Sequence, residues 1–336
     1  MLVVGCWLLV VGYWLLVVGY WVLGIGYWLL AIGCWTLAIG CWLQAVGIKL
    51  QFMNHFNTGN MGNTNKPLVI FFVLAFVIAW SLMGLAIVNH YGLVDFAPPV
   101  EPFLILGSWV PNLAAFMVVA WVLKRKGGIR KLFLGWTQYR VAPQWYLVIL
   151  SPVFIGILTI LFFHRIYGYS PIAETLLDPA SLVAILVFTT ITGAMGEELG
   201  WRGFALPWLQ TRFSALGASL VLGVLWSLWH LPLWFAGLGF EVIPYWAYFL
   251  VGVSFTVLAT WVCNNTRGSL LMASLFHLTL NVSVNMFDSR AFPLHAMLFI
   301  LYAGIVTLVA GPRHLSRKGA PPINESDKTW ETGSLK

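Results

Sequence analysis

The sequence predicts an all-α protein of the polytopic transmembrane class, and three observations lead to that prediction. The 336 residues are 60% hydrophobic and only 9% charged, whereas a soluble domain carries about 25% charged residues. Long apolar segments recur along the chain, and the 19 tryptophans suit the aromatic belts of the two membrane interfaces. The net charge of +7 comes from basic residues in short loops between apolar segments, which is typical of positive-inside topology. We therefore expect contact with a lipid bilayer and no nucleic-acid partner.

The N-terminus, residues 1–52, is a low-complexity apolar repeat with a period of seven. Glycine recurs at this interval from Gly5 to Gly47, and tryptophan from Trp7 to Trp42. The repeat has no polar face, so it does not resemble a water-soluble coiled coil. A tandem heptanucleotide repeat in the DNA would give this period in any reading frame. We predict that this tract is not part of the native protein and that translation begins at Met53 or Met61.

Eight apolar segments after residue 53 are long enough to span a membrane, which takes about 20 residues. We predict one transmembrane domain over residues 53–311 and a disordered polar tail over 312–336. The basic loop 124–140 contains no acidic residue and is expected in the cytoplasm, which places both ends of the domain there. The predicted spans are 67–88, 103–123, 145–163, 181–201, 215–236, 246–263, 269–287 and 295–311.

Six polar side chains in three of the apolar segments are the candidate catalytic residues. A charged side chain at the bilayer centre costs about 2.5–3.5 kcal/mol of insertion free energy. A chain that keeps such residues there is expected to use them for a function. Glu198 and Arg202 are four residues apart, share one helix face and can form an ion pair. Glu197 is rotated by about 100° from Glu198 on a helix and is left free for chemistry. The six residues are Glu197, Glu198, Arg202, His230, His277 and Asn281.

Neighbouring residues indicate how these segments meet. Gly193, Gly196, Gly200 and Gly203 predict a stripe of small residues that packs closely against the histidine-bearing helices. Pro232 predicts that the helix carrying His230 kinks or ends there.

In the predicted topology, Glu197 and His230 lie at different depths in the membrane. A span ending at residue 201 places Glu197 near the cytoplasmic side, whereas His230 lies toward the outer side of the next span. Extension of the glutamate helix to Pro207 would bring Glu197 deeper.

Each of these residues also has a purely structural interpretation. A lone intramembrane histidine often bonds a neighbouring helix, Asn281 could hold two helices together, and Glu198 with Arg202 could be a structural ion pair. A single carboxylate would suffice for that pair, so the second glutamate favours a chemical role.

Taken together, the polar pattern resembles the CPBP family of intramembrane proteases. That family includes the type II CAAX prenyl endopeptidases and bacteriocin-processing or self-immunity proteins. The pattern consists of Glu-Glu-x-x-x-Arg, then Trp226 four residues before His230, then His-x-x-x-Asn, all within a motif core at 180–285. Phenylalanine is more usual than tryptophan at position 226.

The resemblance implies a glutamic endopeptidase that needs no metal or cofactor and cleaves a membrane-associated peptide or protein. It implies that Glu197 is the general base, acting with His230 on a water molecule. It implies that His277 and Asn281 stabilise the oxyanion, and that Glu198 with Arg202 braces the site. The sequence contains no His-Glu-x-x-His zinc motif. We expect the protein in a bacterial plasma membrane; its oligomeric state is not predicted.

Two other functions remain open at this point. A non-catalytic membrane scaffold or bacteriocin self-immunity protein would keep the polar residues as an interhelical network. A proton-coupled transporter would use them as a proton relay, although the chain after Met53 lacks the repeated halves typical of transporters.

Overall fold

The computed structural model describes residues 66–93, 101–124 and 127–317. The apolar repeat, both candidate start positions and the end of the polar tail from residue 318 lie outside the described residues. Within the described ranges the chain is helical, as predicted. The α-helices are α1 (Lys66–His90), α2 (Glu101–Met117), α3 (Gly128–Leu134), α4 (Gln144–Val148), α5 (Ser151–Tyr167), α6 (Pro179–Thr189), α7 (Leu206–Gln210), α8 (Ala215–Trp229), α9 (Tyr245–Asn265), α10 (Leu270–Val284) and α11 (Phe292–Ala310).

Seven helical stretches of the described residues are long and apolar enough to cross a membrane, and the protein is an integral membrane protein. The seventh predicted span, 269–287, corresponds to α10, which is not among these stretches because it has only 15 residues and a length of about 22 Å. Its residues Met272 and Phe276 are fully buried, so neighbouring helices enclose it. The seven stretches are Lys66–His90, Pro102–Val122, Gln144–Tyr167, Pro179–Gln210, Ala215–Phe235, Tyr245–Asn265 and Ser289–Ala310.

Helix α9 lies at the centre of the bundle, where it packs against α8 and α11. Two glycines permit the close approach of α8 and α9. A Cβ atom on Gly223 of α8 would lie 2.9 Å from the Cα atom of Val253, and one on Gly252 would overlap the Ser227 hydroxyl. Because glycine has no side chain, the two helix backbones touch at these positions, as they do at small residues in other membrane helix pairs.

The glutamate-bearing stretch is longer than the sequence suggested, running from Pro179 to Gln210. Asp178 caps its start by accepting hydrogen bonds from the backbone N–H groups of Ala180 and Ser181. The hydrogen bond from the Ser181 hydroxyl holds the pKa of Asp178 below its ordinary value. Because the stretch continues past Pro207, Glu197 lies near its middle, and the predicted discrepancy in depth with His230 disappears.

Residues 312–317, assigned to the polar tail by the sequence, are packed against the bundle. The carbonyls of Pro312 and Arg313 accept hydrogen bonds from the first backbone N–H groups of α8. Leu315 is fully buried, and its carbonyl accepts a hydrogen bond of 2.8 Å from Asn265. The carbonyls of Pro312 and Arg313 thus satisfy helix-end donors of α8 that would otherwise lack partners.

Candidate active site

The helix that carries the two glutamates is interrupted where they lie. A π-helical segment, Thr190–Ala194, precedes them and a second, Leu199–Ala205, follows. Residues 195–197 form a turn between the two. Such π segments are rare and are frequently found at functional sites. The interruption leaves backbone groups without their usual helical partners.

Asn112 on α2 satisfies two of those groups with one side chain. Its Nδ2 atom donates to the carbonyl of Met195 at 2.8 Å, and its Oδ1 atom accepts from the N–H of Gly200 at 2.9 Å. Asn112 is fully buried. It was not among the predicted site residues, although its position next to Pro111 in an apolar helix was a signal that could have found it.

Glu198 lies at the centre of a sealed charge network, as its spacing from Arg202 predicted. Its Oε1 atom accepts hydrogen bonds from Nη1 of Arg202 at 2.8 Å and from Nδ1 of His277 at 2.7 Å. The side chains of Glu198 and Arg202 are completely shielded. The guanidinium also lies over the ring of Phe255, 4.9 Å from its centroid. This network links the glutamate stretch to α10.

Glu197 turns away from that network toward α8. Its Oε2 atom accepts hydrogen bonds from the indole N–H groups of Trp226 at 2.7 Å and Trp201 at 3.2 Å. Its other oxygen, Oε1, faces Nε2 of His230 at 3.9 Å. The side chains of Glu197 and His230 are 4% and 11% exposed, so this half of the site is less shielded than the Glu198 half.

The end of α8 fixes the orientation of His230. The helix ends at Trp229, and the N–H of His230 bonds the carbonyl of Ser227 at 3.3 Å instead of that of Trp226. A 3₁₀ segment containing Pro232 follows, so the helix ends where the proline predicted. The freed Trp226 carbonyl accepts from Nδ1 of His230 at 2.8 Å. Because a carbonyl only accepts, Nδ1 carries the proton and Nε2 of the neutral ring has a free lone pair toward Glu197.

His277 and Asn281 lie on one face of α10, opposite Gly193. A Cβ atom on Gly193 would overlap Nδ2 of Asn281 and lie 3.3 Å from Nε2 of His277. Nδ1 of His277 is committed to Glu198, so Nε2 is the ring atom that is directed toward Gly193. Two nitrogen atoms of α10 thus pack against Gly193, an approach that a side chain at residue 193 would block.

The predicted glycine stripe divides between two neighbours. Gly193 and Gly203 face α10, as expected, but Gly196 and Gly200 approach Ser108 and Pro111 of α2. The π segments change the number of residues per turn, so the four glycines do not share one face.

No cluster of three or more His, Cys, Asp or Glu side chains with the arrangement of a metal site occurs among the described residues.

The six predicted site residues lie close together, although not all of them contact one another. Glu198 joins Arg202 to His277, Glu197 faces His230, and Gly193 lies against both His277 and Asn281. The arrangement places a carboxylate oxygen and an imidazole lone pair on the more exposed side. It places two potential hydrogen-bond donors on the adjacent helix.

The part of the chain that carries these residues is similar to known proteins. Residues 179–283 match the family described as type II CAAX prenyl endopeptidase Rce1-like. The chain is also 28% identical over 190 residues to CAAX prenyl protease 2 of Methanococcus maripaludis, an alignment that covers 52% of this chain and 70% of that protein. The matched region contains all six site residues. Over this region the chain is similar to CAAX-type proteases, and both comparisons support a peptide hydrolase.

Proposed function

We propose that this protein hydrolyses a peptide bond of a membrane-associated substrate by the action of Glu197 and His230 on a water molecule. The observation that carries the proposal is the 3.9 Å separation of Glu197 Oε1 and His230 Nε2. A water molecule about 2.8 Å from each atom, an ordinary hydrogen-bond distance, fits across that gap. One of its protons passes to the carboxylate as its oxygen attacks the scissile carbonyl.

The developing oxyanion would be stabilised from α10. The Nδ2 atom of Asn281 is a donor, and Nε2 of His277 becomes one when the ring is protonated. Nδ1 of His277 already donates to Glu198, so Nε2 is the ring nitrogen left for the substrate. Oxyanion donors are worth roughly 10²- to 10³-fold in rate each. Collapse of the intermediate breaks the C–N bond, and the proton taken from water leaves with the amine.

Arg202 supports this chemistry without touching the substrate. Its ion pair with Glu198 compensates the buried carboxylate, and the pair in turn orients His277. Removal of one member of a buried pair leaves an uncompensated charge in the bundle. We assign Glu198 and Arg202 to bracing of the oxyanion side, separate from the water-activating side.

The name of the relative and the membrane-spanning helices support a proposal for the substrate class. The Methanococcus relative is named a CAAX prenyl protease. We propose that the substrate of this chain is likewise a protein or peptide held at the membrane, with a prenyl group as one means of attachment. We place the enzyme in a bacterial plasma membrane.

A terminal proteomics comparison tests the function. Membranes of cells that express the wild-type chain are compared with those that express Glu197→Gln, and new N- and C-termini are identified by mass spectrometry. The proposal predicts at least one membrane protein that is truncated only with the wild-type chain. Identical termini in both, together with rescue of the cellular phenotype by Glu197→Gln, would favour the non-catalytic scaffold or self-immunity function instead. Substrate-driven pH change in sealed vesicles would favour the transporter.

A further inference from the structure

One side chain of the site has no role in the mechanism above, although it touches most of the groups that do. The indole of Trp226 is 3% exposed. Its ring centroid lies 4.4 Å from that of His230 and 5.7 Å from that of His277, and the guanidinium carbon of Arg202 lies 5.9 Å away. Trp226 therefore lies between the water-activating residues, Glu197 and His230, and the bracing pair, Glu198 and Arg202.

Trp226 bonds both members of the water-activating pair with different atoms. Its indole N–H donates to Oε2 of Glu197 at 2.7 Å, and its backbone carbonyl accepts from Nδ1 of His230 at 2.8 Å. One residue thus contacts the two groups whose spacing decides whether a water molecule fits between them. The carbonyl contact would survive a change of side chain at 226, whereas the indole contact would not.

We propose that Trp226 is a positioning residue that holds the Glu197 carboxylate with Oε1 toward His230. The inference rests on the proposed function of Glu197 and adds a determinant of its geometry. A carboxylate has two equivalent oxygens and rotates about its terminal torsion. Occupation of Oε2 by an N–H donor removes that freedom, and a hydrogen bond to a charged acceptor is roughly twice as strong as a neutral one.

Trp201 supplies a second donor to the same oxygen, at 3.2 Å. Its ring is fully buried, and edge-to-face contacts with Phe71 and Trp229 hold it in place. The two indoles approach Oε2 from different elements, so together they fix the carboxylate in two directions. The shorter bond belongs to Trp226, and its loss should have the larger effect.

The kinetic test is Trp226→Phe in the full chain, reconstituted in lipid vesicles with an internally quenched farnesylated CAAX reporter peptide. Phenylalanine keeps an aromatic ring and removes only the donor and part of the ring volume. We expect kcat to fall roughly 10- to 100-fold, the equivalent of one hydrogen bond to a charged acceptor, with KM unchanged. The matched control is Trp80→Phe, which removes an indole donor to the backbone carbonyl of Trp229 and should keep wild-type kcat.

A spectroscopic test needs no substrate. The full chain labelled with ¹⁵N-tryptophan in nanodiscs gives indole N–H signals, and Trp226→Phe and Trp80→Phe each identify one by its disappearance. In Glu197→Gln, we expect the Trp226 signal to move upfield because a neutral amide replaces a charged acceptor, whereas the Trp80 signal stays. The inference is overturned if the chemical shift of the Trp226 signal is unchanged in Glu197→Gln. It is also overturned if Trp226→Phe retains wild-type kcat. Full turnover by Glu197→Gln would instead refute the proposed function.

Discussion

Replacement of Asn112 by leucine should destabilise the protein strongly, although Asn112 lies outside the family motifs. Its side chain donates to Met195 O and accepts from Gly200 N across the break in the glutamate stretch. Leucine removes the donor to the Met195 carbonyl, whereas Gly200 N keeps its bond to the carbonyl of Glu197 at 3.0 Å. A buried polar group that loses its partner costs about 1–3 kcal/mol, and we expect a loss of that size.

The measurement is the free energy of unfolding in bicelles by titration with sodium dodecyl sulfate. Asn112→Asp is the shape-matched companion: it keeps an acceptor for Gly200 N but loses the donor to Met195 O, so it should also destabilise. Asn285→Ala is the control, because the Asn285 amide donates only to the carbonyl of Asn281 one turn back on its own helix. Stability of both Asn112 variants within ~0.5 kcal/mol of wild type, the range of ordinary surface substitutions, would refute the bracing role.

Two further substitutions test the oxyanion side, one its bracing ion pair and the other its hydrogen-bond donors. Glu198→Gln leaves the buried Arg202 guanidinium without its counter-charge and should cost about 3–5 kcal/mol of unfolding free energy; unchanged stability in the same titration would contradict the buried pair. Gly193→Ala places a Cβ atom against Nδ2 of Asn281 and should lower kcat by at least about 100-fold, the loss expected from one displaced oxyanion donor. Its control is Gly84→Ala, whose Cβ atom would meet nothing within 4 Å and which should turn over like wild type; equal activity of the two variants would mean that the space beside Gly193 is not used.

The local part of this site could be predicted from the sequence. Glu198 and Arg202 pair because residues four apart remain on one face, and this held although the π segment begins at Leu199. The end of α8 near His230 followed from Pro232. Both predictions depend on neighbours along one helix, which is the range over which sequence spacing carries geometric information.

The long-range part could not be predicted in the same way. Asn112 bonds backbone groups that are 83 and 88 positions away, and those groups need partners only because the helix is interrupted. Nothing in the sequence of the glutamate stretch marks the π segments that cause the interruption. The glycine stripe was misassigned for the same reason, since its spacing was interpreted on a regular helix. The indole bond from Trp226 to Glu197 likewise depends on how two helices meet.

The most direct test of the central claim is turnover by Glu197→Gln of a substrate identified by the terminal proteomics. Wild-type and variant proteins are purified, reconstituted at equal amounts in lipid vesicles and checked for equal unfolding free energy. The account predicts that the variant retains wild-type stability and gives no cleavage above the uncatalysed background, because glutamine cannot take a proton from water. Cleavage at the wild-type rate would contradict the assignment of Glu197 as the general base.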